Sequence, residues 1–411
     1  MMRLSTALIY QNGLNGILNQ ESAMSRLNEQ MSSGRRVLSP ADDPLAASLA
    51  VNVSQTASMN GNYAANRGML EQSLGAEENA LKSVVLTLQD VLQRVVESGK
   101  GTLSDADRQS LATALTSSRD QLLGLANSTD GNGQYLFSGY KGQTQPYEID
   151  STGTVTYQGD TGQRMLQVEQ SRQLAGSDIG SDIFSRAAAG TMAYIASAAP
   201  GNDGTGTFSA VSLDSPKPGN FVGSDFNVAF ATNAATGALE YTITSSNPDF
   251  TPITAEYEDG KLIDMGGVSF KISGEPVAGD QFKVEMPSSD NMDMFATLNN
   301  LINALEAPSG GDPVRSAALS NQLATANKTL TLGLDNVLTV RASVGSRLNE
   351  IDALDATGTL NALSYSQQLS KLEDVDIYTT TTELLLRQVA LQAASASFTR
   401  IIGSSLFSMN G

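Results

Sequence analysis

Residues 74–95 read LGAEENALKSVVLTLQDVLQRV, and Leu74, Leu81, Leu88 and Val95 recur in this run at strict heptad spacing. A side chain repeated every two helical turns stays on one face, so the run predicts an α-helix with a single apolar stripe. The stripe reaches back to Leu45 through Leu49, Val53, Tyr63 and Leu70, and Val84 and Val91 fill it in. Some fifty residues at the helical rise make an element of roughly 75–80 Å. Few compact domains hold one so long, whereas coiled coils and fibrous assemblies do. A second strict series, Leu323, Leu330, Val337, Val344 and Ile351, lies far along the chain and is the natural partner of the first.

Proline divides the chain in the same way. Ten of the twelve prolines fall between Pro146 and Pro313, and residues 45–145 and 314–411 have none. Proline removes a backbone donor and clashes with the preceding turn, so the proline-free ends are helical and the middle is rich in turns. The expected class is α+β: a long antiparallel helical coiled-coil rod from both chain termini with a β-hairpin, plus an inserted small all-β outer domain. The expected divisions begin with an N-terminal assembly helix in 1–40, pairing with a C-terminal assembly helix in 375–411. Residues 41–185 form the first half of the long-helix rod domain with its hairpin, 186–290 the β-rich insert, and 291–374 the C-terminal helices of the rod.

Local signals fill in this plan. Tyr10, Leu14, Ile17, Met24, Leu27 and Met31 form one helical stripe, broken by the run from Ser32 to Pro44. Asp43 before Pro44 reads as a cap followed by proline at the first helical position. Gly99 and Gly101 end the long helix, and Ser104 with Asp107 resembles a capping box for a helix through Leu111, Leu115, Leu122 and Leu125. Short strands are predicted at Tyr135–Tyr140, Tyr147–Ile149, Thr154–Tyr157 and Met165–Val168, with Ser151-Thr152-Gly153 as a hairpin loop. A helical patch is expected near Phe184–Ala198. Strands follow at Phe226–Ala231, Leu239–Thr244, Ile253–Tyr257, Val268–Ile272 and Phe282–Met286, and helix returns at Met292–Leu305. In the last segment Ile377, Leu384, Leu391, Phe398 and Ile402 share one side, and Arg387 and Arg400 are the only charges after Leu384. A helix with so little charge around its circumference needs cover on most sides, which neighbouring subunits would supply.

Composition narrows the chemistry. The chain has no cysteine and no histidine. Disulfides, thiolate zinc sites, histidine-bound metals and histidine-dependent triads are therefore excluded. The net charge is −18, of which residues 141–313 contribute −14, from 22 acidic and 8 basic side chains. Phosphate binding needs a basic surface, so nucleic acid is not the expected partner. The acidic insert reads as a solvated outer face. No run approaches the roughly 20 apolar residues of a membrane span. The apolar stretch from Leu4 to Ile9 is too short and interrupted for a cleaved signal peptide, so export would take another route.

Catalytic motifs are poor. Ser138-Gly-Tyr-Lys141 fits S-x-x-K and Ser289-Asp290-Asn291 fits S-D-N, but K-T-G is missing and Ser138 lies in strand-and-turn sequence rather than at a helix start. Asp42-Asp43 reads as a helix start rather than a metal or acid/base pair. Asp130-Gly-Asn132-Gly-Gln134 hints at calcium but lacks the distal Glu of an EF-hand loop, and reads as a glycine-rich helix stop. No cofactor is expected, and no enzyme activity.

The run from Ser32-Ser-Gly34-Arg-Arg-Val to Pro44 resembles the N-terminal signature of bacterial flagellins and their junction proteins. Gln134–Tyr140 and Tyr157-Gln-Gly159-Asp160 look like the hairpin region of the hook-associated protein 3 branch of that family. Ile272–Phe282 is similar to a motif in the outer domains of hook-associated proteins. Leu372–Asp376, Thr379–Glu383 and Gln388–Ala394 resemble the flagellin C-terminal helix. The tail departs from the family, ending Ser-Met-Asn-Gly after Phe407 where a leucine-rich finish is common.

The resemblance implies a structural subunit of the hook–filament junction. Its terminal helices would order on assembly into an inner coiled coil, with about eleven copies in a closed ring. The implied partners are flagellin, hook-associated protein 1, further copies of the chain, and a flagellar export chaperone holding the C-terminal helix. Export would run through the flagellar type III channel to the extracellular flagellum, with no membrane insertion. Leu4, Leu8, Ile17, Leu384, Leu391, Phe398, Ile402 and Leu406 are the expected assembly interface. Leu74, Leu81, Leu88, Val95, Leu323, Leu330, Val337 and Val344 are the expected rod-domain core. A flagellin filament subunit would share both terminal signatures. A secreted hydrolase or binding module carried by the β insert is the reading from a different class, and no carboxylate pair there has interpretable spacing.

Overall fold

The computed structural model describes residues 6–100, 103–214, 220–308 and 310–407. It is a mixture of long helices and small sheets. The helices are α1 (Thr6–Ser33), α2 (Pro44–Ser98), α3 (Asp105–Ala126), α4 (Gly180–Phe184), α5 (Met294–Glu306), α6 (Pro313–Glu373) and α7 (Ile377–Phe407). Carboxylates start most of them. Asp43 accepts from Ala46 N at 3.0 Å for α2, and Asp312 accepts from Val314 N at 2.9 Å for α6. Each precedes a proline at the first helical position, where the missing N–H has no helical partner to lose. Ser104 and Asp107 close a reciprocal capping box on α3, and Asp293 caps α5.

The chain forms two compact units, residues 1–65 with 353–411, and residues 66–352. In the second unit, α2 buries Leu70, Leu74, Leu81, Val84, Leu88, Val91 and Val95, and α6 buries Leu323, Leu330, Val337, Val344 and Ile351. All eight residues expected in the core are thus buried. The Arg341 guanidinium of α6 reaches Glu78 of α2 at 2.7 Å. Helices α3 and α5 pack together, with Leu115 and Leu122 on one and Leu298, Leu301 and Leu305 on the other buried.

Two hairpins precede the β-rich region. Strands β1 (Tyr147–Ile149) and β2 (Val155–Tyr157) pair antiparallel, as do β3 (Met165–Glu169) and β4 (Arg172–Ala175). Gly153 closes the first at φ +84°, a conformation that L side chains rarely adopt. Further along lie β5 (Ile195–Ala198), β6 (Thr207–Phe208), β7 (Ser212–Leu213), β8 (Phe226–Thr232), β9 (Leu239–Ser245), β10 (Ile253–Glu256), β11 (Leu262–Asp264), β12 (Val268–Ser273) and β13 (Gln281–Glu285). They make a five-stranded sheet in the order β10-β9-β8-β13-β5 and a second sheet ordered β11-β12-β6, with β7 also on β12. Alternate residues of β8 and β12 point inward, so Phe226, Val228, Phe230, Val268, Phe270 and Ile272 share one core with Phe282 and Val284.

Two local expectations fail. Tyr135–Tyr140 is not a strand: Tyr135 makes a single bridge to Thr129, and the chain then turns. Gly139 sits at φ +71° against Asp160, so the run buries Leu136, Phe137 and Ser138 while reversing direction. The helix expected over Phe184–Ala198 stops at Phe184, and Ile195–Ala198 is instead the edge strand β5. Glycine at 190, with φ +80°, breaks the path between them.

Candidate assembly surface

The first unit is built on α1 and α7, which run antiparallel. The Tyr10 and Phe398 rings pack with centroids 5.1 Å apart at a tilt of 42°, Arg387 donates to Gln20 Oε1 at 3.2 Å, and Val375 N donates to Gly34 O at 3.0 Å. Gly13 lets the Phe398 ring come close, since a Cβ there would lie 2.8 Å from Phe398 Cδ2. Half-buried residues recur along α1 at Gly13, Ile17, Gln20, Met24, Leu27 and Met31, and along α7 at Thr381, Leu384, Arg387, Leu391, Ala394 and Phe398. Steps of three and four residues keep each set on one stripe, the geometry of a two-helix seam.

One stripe each leaves the other faces bare. Leu8, Leu14 and Leu18 on α1 are 47%, 39% and 51% exposed, and Leu385, Leu386 and Val389 on α7 are 57%, 65% and 63% exposed. The residues expected to form the assembly interface therefore divide. Ile17, Leu384, Leu391 and Phe398 sit in the intrachain seam, and Leu8 is exposed. Leu4 lies outside the described residues, and Ile402 and Leu406 lie on the α7 backbone where side chains are not described. Leu385, Leu386 and Val389 were not singled out from the sequence, although a signal was present. Three consecutive leucines at 384–386 span about 200° of helix surface, so they cannot all enter one seam.

The segment from Gly34 to Asp43 ties this unit together. Gly34 has φ +71°, and Arg36 N donates to Glu373 O at 2.6 Å. The Arg36 guanidinium donates to Leu372 O at 2.8 Å and to Asp43 Oδ2 at 3.1 Å, so one side chain joins the start of α2 to the end of α6. Arg35 pairs with Glu373 at 3.0 Å, and Arg26 with Asp42 at 2.5 Å. The N–H of Ser39 holds the Asp42 carboxyl below its ordinary pKa, and the N–H of Ala46 does the same for Asp43. Asp376 is lowered by the Thr379 hydroxyl, with the N–H groups of Thr379 and Tyr378 adding to it at the start of α7.

The residues of the motif coincidences have local tasks. The Ser138 hydroxyl donates to Tyr135 O, and the Lys141 ammonium donates to Gln158 O. Asp130 Oδ1 accepts from Asn132 N and Gln134 N, folding the glycine-rich stretch into a turn. Among the described residues, no helix is long and apolar enough to cross a membrane.

Residues 4–142 match the family model of the bacterial flagellin N-terminal helical region. The chain is 32% identical to flagellar hook-associated protein 3 of Salmonella typhimurium over 409 residues, 100% of both chains. The crystal structure of Xanthomonas campestris FlgL is similar at 30% identity and a TM-score of 0.65, covering 77% of this chain and 99% of that one. Hook-associated protein 3 of Legionella pneumophila is similar at 27% identity and a TM-score of 0.67, covering 78% of this chain and 98% of its own.

Proposed function

The chain belongs to the flagellar hook-associated protein 3 family, and from that premise we propose that its terminal helices polymerise it into the junction between hook and filament. It is a structural flagellar protein and not an enzyme. The observation that carries the reading is the one-stripe packing of α1 on α7, which leaves Leu8, Leu14, Leu18, Leu385, Leu386 and Val389 in water. A soluble chain tolerates scattered apolar residues, but rows of them on two paired helices fit an association surface. Neighbouring copies closing around the pair would complete the burial of Ile17, Leu384, Leu391 and Phe398 and cover Leu4, Leu8, Ile402 and Leu406.

In this reading α2 and α6 form the antiparallel coiled-coil rod over residues 41–185 and 291–374, with the hairpins on its flank. The β-rich insert, residues 186–290, faces outward. Flagellin lies on one side of a ring of about eleven copies and hook-associated protein 1 on the other, a heterologous closed arrangement. A flagellar export chaperone holds α7 until the chain leaves through the type III channel to the cell exterior. Holding that helix would keep its bare face from associating too early.

Deletion of residues 1–31 or 375–411 tests the proposal. Each deletion is expected to abolish incorporation into flagella while residues 66–352 keep their cooperative unfolding, because that unit holds its own core. Motile cells with normal filaments built on either truncated chain would overturn it.

A further inference from the structure

The apolar stripe of α2 contains one carboxyl side chain. Buried residues follow one another at Leu70, Leu74, Glu77, Leu81, Val84 and Leu88, so Glu77 occupies a seam position in an otherwise hydrophobic row. Arg347 does the same on α6, between Val344 and Ile351. Glu77 is completely buried, and buried carboxylates are retained only where something compensates them. What surrounds Glu77 compensates it poorly.

The segment leaving β4 passes between these two side chains. Asp178 N donates to Glu77 Oε1 at 3.0 Å. The Asp178 carboxylate is claimed from other directions, by the Arg347 guanidinium through Nη2 and by Gln163 Nε2 at 2.9 Å. Arg347 Nη1 donates to Ala175 O at 3.1 Å. Glu77 Oε2 and Arg347 Nε have no hydrogen-bond partner. Beyond these, Glu78 on α2 is engaged by Arg341 of α6, and Arg172 of β4 by Glu350 of α6. Two carboxylates therefore face one guanidinium, and that guanidinium already serves Asp178.

We propose that Glu77 is a proton-binding site that latches the segment Gly176–Ile179 onto α2 and α6, and that loss of the proton loosens this segment. A neutral Glu77 still accepts from Asp178 N, whereas an ionised one places a second, unpaired negative charge beside Asp178. Burial, reinforced by the charge of Asp178 and opposed by Arg347, raises the Glu77 carboxyl to about 8. The latched state holds a proton that the opened state, with an ordinary carboxyl, releases. Rising pH therefore favours opening, from the ordinary carboxyl range up to the latched-state value, and the effect levels off above it.

Hydrogen exchange of the full chain between pH 6 and 9, normalised to intrinsic amide rates, reads this directly. Protection of peptides covering residues 174–184 is expected to fall on the order of tenfold per pH unit until about pH 8, while peptides of β8 and β9 do not follow. Glu77→Gln, which keeps the acceptor and removes the titration, is expected to abolish the slope. Asp178→Asn removes the like charge and leaves Arg347 to Glu77, and should move the midpoint to lower pH. Should Glu77→Gln fail to fold, the infrared band of a protonated carboxylic acid in the wild-type chain at pH 6.5, absent at pH 9.5, supplies the readout. A flat wild-type profile, the same slope in Glu77→Gln, an unmoved midpoint in Asp178→Asn or no such band would overturn the proposal.

Discussion

Replacing Leu81 with aspartate strikes the stripe that organises the second unit. Leu81 is 0% exposed, while Leu86, one and a half turns on, is 61% exposed and serves as the matched control. Truncating a buried leucine costs about 2–5 kcal/mol. A carboxyl left there without a partner adds about 1–3 kcal/mol even when it takes up a proton. Whole domains are stable by only about 5–15 kcal/mol, so Leu81→Asp should remove a large share of the stability or all of it. Leu86→Asp stays within about 0.5 kcal/mol, as surface changes do. In urea titrations followed by far-ultraviolet circular dichroism, a dependence of about 3 kcal/mol per molar puts the Leu81→Asp midpoint at least ~1 M below wild type. Leu86→Asp should overlay wild type. Equal midpoints for the two variants would refute the claim that this stripe is the core.

Arg36→Ala removes two charge-assisted hydrogen bonds, to Leu372 O and to Asp43, from an exposed side chain where solvent screening keeps the effect local. It should raise hydrogen exchange around residues 372–376 and leave 70–95 unchanged; unaltered exchange at 372–376 would count against the clamp. The depressed carboxyls of Asp42, Asp43 and Asp376 contribute stability that is present above their ordinary pKa and is lost as pH falls through the lowered values. Exchange at the starts of α2 and α7, normalised to intrinsic amide rates, should therefore rise in acid, and a pH-independent normalised profile there would contradict this.

What could be read in the sequence followed from period and punctuation. Heptads at Leu74–Val95 and Leu323–Ile351 and the prolines between them suffice for the long helices, and alternation in Phe226–Ala231 or Val268–Ile272 suffices for the strands. Short pairings such as β6, β7 and β11 carry too few residues for a period and form because β12 offers an edge. Tyr135–Tyr140 looks like a strand by composition, yet the turn at Gly139 overrides propensity. The part of α7 facing α1 was legible as a stripe, but the sequence alone did not separate seam from bare face. That distinction depends on where α1 lies, and only the Leu384-Leu385-Leu386 triplet hinted at it. Arg36 meets Leu372 across 336 residues, with no local signal. Glu77 did have one: an ionisable residue at a seam position in an apolar row.

Assembly through the bare faces of α1 and α7 is what the proposed function requires. Its most direct test is hydrogen exchange on the full chain, alone and then mixed with flagellin and hook-associated protein 1. Peptides spanning 8–31 and 381–398 should exchange faster in the isolated chain than those spanning 70–95, because each helix is covered along one stripe only, and should gain protection in the mixture. Full protection of both helices in the isolated chain, unchanged on mixing, would rule out assembly through these faces.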